Sequence, residues 1–139
     1  MLKTLIAIAM LIPLSAAWAA DAQAGPAWER LNADTLQRAQ RENRLLLVDL
    51  AADWCQFCKK MDHSTWPDPK VMESIDKYYI PVRIQDEEEP VLAEKYRQYG
   101  RPAFFVLNGN GEEIARKRGY LEPRFMHWML EGIAQEAGL

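Results

Sequence analysis

The sequence predicts an α/β fold: a mixed four-stranded sheet with helices on both faces and an extra helix at the N-terminal end. Three observations carry that reading. Leu45-Leu46-Leu47-Val48-Asp49-Leu50 is a nearly unbroken apolar run, the pattern of a strand buried on both faces. Asn108-Gly109-Asn110-Gly111 separates two strand-compatible segments and signals a hairpin. Around them stand segments with helical start signals or helical apolar spacing. The resulting order is helix, strand, helix, strand, helix, hairpin, helix, a parallel βαβ unit followed by ββα.

The chain has 139 residues, enough for one domain of moderate size. Residues 1–19 are expected to be a signal peptide. Lys3 gives a positive start, Leu5 to Leu14 an apolar core, and Ala17-Trp18-Ala19 a small-x-small cleavage pattern. The apolar run is too short and too interrupted by proline to favour a membrane span. A second triplet, Ala22-Gln23-Ala24, leaves cleavage after Ala24 open. Residues 20–32, mostly Ala, Gly, Pro and polar side chains, read as a poorly ordered lead before a domain over 33–139. Removing residues 1–19 takes away Lys3 and no acid, leaving 16 basic against 20 acidic side chains, net charge −4. That balance argues against nucleic acid as a partner.

Asn32 or Asp34 is placed to cap a helix running to about Glu42, with Leu36 and Ala39 on its inner face. After the Leu45–Leu50 strand, a helix is expected from Cys55 to about His63, broken at Ser64 to Pro67. Asp68-Pro69, an N-cap followed by proline at the first helical position, restarts it as far as Tyr78. Ile80 to Gln85 is a strand, and Pro81 near its start suggests an edge. Asp86-Glu87-Glu88-Glu89 reads as a solvated charge run suited to a helix start, with docking of a basic partner as the alternative. Pro90 to Tyr99 has the spacing of an amphipathic helix. Ala103 to Leu107 and Glu113 to Arg118 form the hairpin, and Gly119 suggests a close backbone approach. From Glu122-Pro123 a last helix follows, with Phe125, Trp128, Met129 and Ile133 expected inward.

Both cysteines fall in Trp54-Cys55-Gln56-Phe57-Cys58-Lys59, where a strand ends and a helix begins. A helix start carries unpaired N–H groups and a partial positive charge, which favours thiolate, the species that attacks disulfides. The first cysteine is expected at the exposed helix start and the second one turn in, so Cys55 is the candidate attacking sulfur and Cys58 the resolving one. A purely structural bridge is the competing reading, although closing so short a loop stabilises by only about 2 kcal/mol, against about 3 kcal/mol for 15 residues. Trp54 and Phe57 flank Cys55 as an apolar contact surface; packing is the other reading, more so for Trp54. No metal and no cofactor are expected. Cys55, Cys58, His63 and His127 lack a recognised ligand spacing, and covalent haem requires histidine where Lys59 stands. Asp49, an acid in an apolar strand, must either find partners or hold its proton.

With Trp54-Cys55-Gln56-Phe57-Cys58-Lys59, Asp49 six residues before Cys55, Pro102 in Tyr99-Gly100-Arg101-Pro102-Ala103, and Gly119 after the last strand, the chain resembles the thioredoxin-like thiol:disulfide oxidoreductases. It is most similar to periplasmic members, among them the C-terminal domain of the transmembrane disulfide reductase DsbD. The resemblance runs from about Leu45 to about Ile133. It implies the thioredoxin fold, a redox disulfide between Cys55 and Cys58, and a buried Asp49 that exchanges protons with Cys58. It also implies a cis Arg101–Pro102 bond facing the cysteines, in a loop that with Trp54 and Phe57 binds an extended substrate segment. Arg101 departs from the small or apolar residue common at that position, which points to acidic partners or a lowered thiol pKa. Arg83 falls where many thioredoxins carry a lysine near the buried acid; an arginine there acts only electrostatically, and a solvated strand residue is the alternative.

Family oxidants often have histidine between the cysteines, whereas Gln56-Phe57 supplies no charge, so a reductase or electron relay is favoured. Oxidase, isomerase or a redox-inert binding module on the same fold are the alternatives. The signal peptide implies export to the periplasm; the resemblance implies disulfide-bearing exported proteins as substrates and a membrane thiol transporter as electron donor, and a monomer is expected.

Overall fold

The computed structural model describes residues 24–139. The expected signal peptide over 1–19 and most of the Ala22-Gln23-Ala24 triplet lie outside the described residues.

In chain order the elements are α1 (Ala33–Glu42), β1 (Leu45–Ala51), α2 (Gln56–Ser64), α3 (Pro69–Tyr78), β2 (Tyr79–Gln85), α4 (Pro90–Lys95), a 3₁₀ turn (Arg97–Tyr99), β3 (Ala103–Leu107), β4 (Glu113–Arg118) and α5 (Pro123–Glu136). The sheet order is β2-β1-β3-β4. β1 pairs parallel with β2, and β3 pairs antiparallel with both β1 and β4. This is the predicted mixed sheet, with β2 on an edge as Pro81 suggested.

Because β1 is central, every one of its residues is buried. Its alternate side chains feed two cores. Leu46, Val48 and Leu50 meet Ile80, Val82, Ile84 and Phe105 on the α1 and α4 face. Leu45 and Leu47 meet Met61, Trp66, Val71, Ile75 and Phe104 on the α2, α3 and α5 face. At about 25 cal/mol per Å² of apolar surface removed from water, such fully covered side chains supply most of the driving force.

Local signals explain the helix ends. Asn32 Oδ1 accepts the Thr35 N–H at 2.9 Å while Thr35 Oγ1 accepts the Asn32 N–H at 3.1 Å, a reciprocal cap. Asp68 Oδ1 accepts from the Lys70 and Val71 amides at 3.0 and 3.2 Å. The α4 segment ends sooner than its spacing predicts. It stops at Lys95 and resumes as the 3₁₀ turn, where Tyr96 and Tyr99 pack on Phe105 with ring centroids 4.8 and 5.4 Å away.

The inward stripe of α5 is also corrected. Met126, Leu130 and Ala134 are its buried residues, whereas Phe125 and Trp128 are exposed and only Met129 and Ile133 pack against the core edge. Buried Ser74 on α3 links to α5: its Oγ donates to Glu131 Oε1 at 2.7 Å and lies 3.0 Å from His127 Nδ1.

Residues 24–32, expected as a poorly ordered lead, are instead attached to the domain. The Glu29 N–H donates to Pro81 O and the Arg83 N–H donates to Glu29 O, both at 3.0 Å, so Glu29 bridges the outer edge of β2. Composition did not reveal this because the pairing is long-range.

Candidate active site

β1 ends at Ala51, and residues 52–54 turn the chain into α2. Cys55 is the N-cap residue of α2, and its Sγ accepts the Cys58 N–H at 3.1 Å. Cys55 and Cys58 form a disulfide with an S–S distance of 2.27 Å and Cα atoms 5.2 Å apart. A sulfur at this place feels the unpaired amides of the first helical turn, which lower the energy of a thiolate.

The expected exposure of Cys55 is not found. Cys55 is 3% and Cys58 5% exposed, because the turn packs both against Ala51 and Ala52. The adjoining rings form the surface instead, Trp54 at 66% and Phe57 at 56% exposed, so Trp54 is not a packing residue. Phe57 lies 6.0 Å from Tyr120 between ring centroids, and Lys60 Nζ sits 4.4 Å from the Tyr120 centroid.

The loop before β3 completes this end of the sheet. Leu50 pairs with Ala103, so antiparallel register sets buried Pro102 beside Ala51. The Arg101–Pro102 peptide bond is cis. Pro102 O accepts the Gly119 N–H at 2.8 Å. Gly119 adopts φ +80°, and a Cβ there would meet nothing within 4 Å. Its glycine therefore serves backbone conformation rather than the close approach expected of it.

The Arg101 side chain does not offer a charge to partners. It is 4% exposed, and its guanidinium donates to Asp86 Oδ1 at 2.8 Å and to the carbonyls of Ala93, Tyr96 and Gly100. Its expected preference for acidic partners is withdrawn, since the charge is already paired. The acidic run is likewise engaged internally. Asp86 holds Arg101, Glu87 Oε1 accepts the Asp53 N–H at 3.0 Å, and Glu88 and Glu89 lie 3.9 and 3.8 Å from Arg30.

Asp49 is buried beneath this end of the sheet. Its Oδ2 accepts from Arg83 Nε at 2.8 Å, and the same guanidinium reaches Asp62 Oδ1 on α2 at 2.5 Å. Burial pushes the Asp49 carboxyl up to about 6, the neighbouring Asp62 pushes the same way, and the Arg83 charge opposes them. Asp62 is four residues after Cys58, so the two share one face of α2. Cys58 Sγ lies 4.0 Å from Leu50 O, next in chain to Asp49. Among the described residues no group of three or more His, Cys, Asp or Glu side chains is placed to hold a metal ion.

A thioredoxin-like domain model matches residues 33–134. The chain belongs to the thioredoxin-like domain family. Curated relatives include the thiol:disulfide interchange protein DsbD of Tatumella citrea, 29% identical over 90 residues, and that of Neisseria meningitidis, 28% identical over 93 residues. These alignments cover 61% and 64% of this chain but 16% of each relative, so the chain spans about a sixth of the length of the proteins it matches.

Solved structures with the same fold include a thioredoxin from Thermus thermophilus (TM-score 0.67, 23% identity, 78% of this chain and 88% of that one). The reduced C-terminal domain of Neisseria meningitidis DsbD gives a TM-score of 0.57 at 21% identity, covering 71% of this chain and 90% of that one. The DsbH oxidoreductase gives 0.68 at 14% identity over 95% of both chains. At these identities the likeness establishes the thioredoxin fold alone.

Within this thioredoxin-like domain, Cys55, Cys58, Trp54, Phe57 and Pro102 gather where β1 ends and β3 begins, with Asp49 buried two residues before the end of β1. Arg83, ambiguous from sequence, is the carboxyl's partner. Asp62 escaped sequence reasoning although its helical spacing from Cys58 was visible. Trp28, which lies over Arg83 at 4.4 Å, carried no sequence signal.

Proposed function

We propose that this chain is an exported, periplasmic thiol:disulfide oxidoreductase that reduces partner protein disulfides, or relays electrons to them, through Cys55 and Cys58. The observation that carries the proposal is the Cys55 sulfur at the N-cap of α2, accepting the Cys58 amide at 3.1 Å. A cysteine so placed is a better thiolate and leaving group than a free one.

In the reduced protein the Cys55 thiolate attacks one sulfur of the partner disulfide. A Cys55–partner bond forms, the partner S–S bond breaks, and the other partner sulfur leaves as thiolate and takes up a proton. Cys58 then gives its proton to the ionised Asp49 carboxylate and attacks Cys55. The second partner sulfur leaves as thiolate, and the partner has gained two electrons. The Cys55–Cys58 disulfide that remains is reduced again by a donor dithiol, proposed to be a membrane thiol transporter. Because both cysteines are nearly covered in the disulfide form, packed with Ala51 and Ala52, reduction requires the turn at residues 52–54 to yield. A partner presses first on the exposed rings of Trp54 and Phe57. Reduction is the favoured direction because Gln56-Phe57 supplies no charge to stabilise the thiolate further.

The test is disulfide reduction by purified protein with a dithiol as electron source. Cys55→Ser is expected to abolish the rate, and Cys58→Ala to accumulate Cys55-linked mixed disulfides. Equilibration with glutathione is expected to give a potential nearer the about −270 mV of a reductant than the about −120 mV of a strong oxidant. No Cys55-dependent rate in the wild-type protein would refute the proposal.

A further inference from the structure

Residues 24–32 lie before the 33–134 family match, and one of their side chains reaches the buried acid's partner. The Trp28 indole lies over the Arg83 guanidinium, with Cζ 4.4 Å from the ring centroid. It makes a T-shaped contact with Trp66, with centroids 5.1 Å apart. Trp66 in turn meets Phe104 at 6.1 Å, and Phe104 is the β3 residue opposite Asp49. Asp49 thus has Arg83 beside it on β2 and Phe104 beside it on β3, with Trp66 and Trp28 continuing the aromatic wall. The bonds of Glu29 to Pro81 and Arg83 fix the backbone that carries the indole.

A guanidinium stacks on an aromatic face because the ring quadrupole attracts it and because its own faces are weakly hydrated. The in-plane N–H groups of Arg83 stay free to hold Asp49 and Asp62. We propose that Trp28 is a positioning residue for the Asp49 carboxyl: its indole holds Arg83 between Asp49 and Asp62 and screens the Arg83–Asp49 pair from water.

The charged groups acting on Asp49 are Arg83 from β2, Asp62 from α2 and, at longer range, Arg101 from the loop before β3, while the Cys58 sulfur on α2 lies 4.0 Å from the carbonyl of the next residue, Leu50. Cys58 does not titrate while it is in the disulfide. Burial is the largest influence on this carboxyl, outweighing the Arg83 attraction. Admitting water therefore lowers the pH at which Asp49 loses its proton. The effect on the carboxyl stands by itself, whereas its effect on Cys58 deprotonation rests on the function proposed above.

The experiment titrates the ¹³C-labelled Asp carboxyls of the oxidised protein by NMR, with Asp49 assigned by Asp49→Asn. Trp28→Ala is expected to lower the Asp49 midpoint by about half a pH unit or more, and Trp28→Phe to keep the wild-type value. If Trp28→Ala does not fold, Trp28→Leu retains apolar cover against Trp66 while removing the ring from Arg83; with water still excluded and the guanidinium less firmly held, the midpoint is expected to rise instead of fall. A role confined to packing would lower stability without moving the midpoint. An unmoved midpoint in the folded Ala or Leu variant overturns the proposal. The pH profile of disulfide reduction is expected to move with the carboxyl. A wild-type protein with no reduction rate would sink the proposed function while leaving the carboxyl result intact.

Discussion

Replacing Asp49 with Asn removes the one buried ionisable group of β1 while keeping its shape and an oxygen that accepts from Arg83. In the folded protein the carboxyl is raised from 3.8 to about 6, chiefly by burial. Between about pH 4 and about pH 6 the folded state therefore binds more protons than the unfolded one, and stability falls as pH rises through that window. Stability from this group is fully present below about pH 4 and lost above about pH 6. At about 1.4 kcal/mol per pH unit, a gap of about two units corresponds to about 3 kcal/mol. Relaxation around the charge reduces this, so about 1–3 kcal/mol is expected. Urea unfolding of the oxidised wild type and Asp49→Asn from pH 4 to pH 7.5 isolates the effect, because other groups cancel in the difference. The variant should gain on the wild type as pH rises. A difference flat across the window, or one of opposite sign, would refute both the buried site and its sign.

Further outcomes follow from other parts of the fold. Arg101→Leu leaves Asp86 without its guanidinium and removes a donor from the carbonyls of Ala93, Tyr96 and Gly100, the first two of which keep a backbone N–H, and is expected to cost about 2 kcal/mol in urea unfolding, Asp86 being partly open to water. Gly119→Ala is expected to cost about 1–2 kcal/mol despite the open space around it, because φ +80° strains any residue with a Cβ. On α5, Leu130→Ala should lose about 2–5 kcal/mol whereas Trp128→Ser stays within about 0.5 kcal/mol, reversing the ranking that residue size suggests.

The sequence made the sheet legible because its signals are local. The Leu45–Leu50 run, the Asn108–Gly111 turn and Asp68-Pro69 each specify their element without help from distant residues, and the cysteine pair stood out through its position at a strand-to-helix junction. On α5, apolar residues occur around most of the helix, so the stripe through Phe125, Met129 and Ile133 and the stripe through Met126, Leu130 and Ala134 have equal periodicity. Only packing against α3 and the sheet distinguishes them. Arg101 was misread for a similar reason: its charge was visible, but its partner Asp86 lies 15 residues earlier in the chain. The cover over Cys55 depends on how tightly the turn at residues 52–54 packs the cysteines against Ala51 and Ala52, which spacing does not encode. Trp28 acts on Asp49 only through a bridge to β2, so nothing local marked it.

The Glu29 bridge has a consequence for self-association. An uncovered marginal strand is a template onto which a second molecule can zip, seeding aggregation. On the outer rim of β2, Glu29 occupies the Pro81 acceptor and the Arg83 donor, and Pro81 has no donor to offer. The opposite rim, β4, carries Glu113, Arg116, Lys117 and Arg118. Proteolytic trimming back to Ala33 would free that acceptor and that donor for a strand of a second molecule.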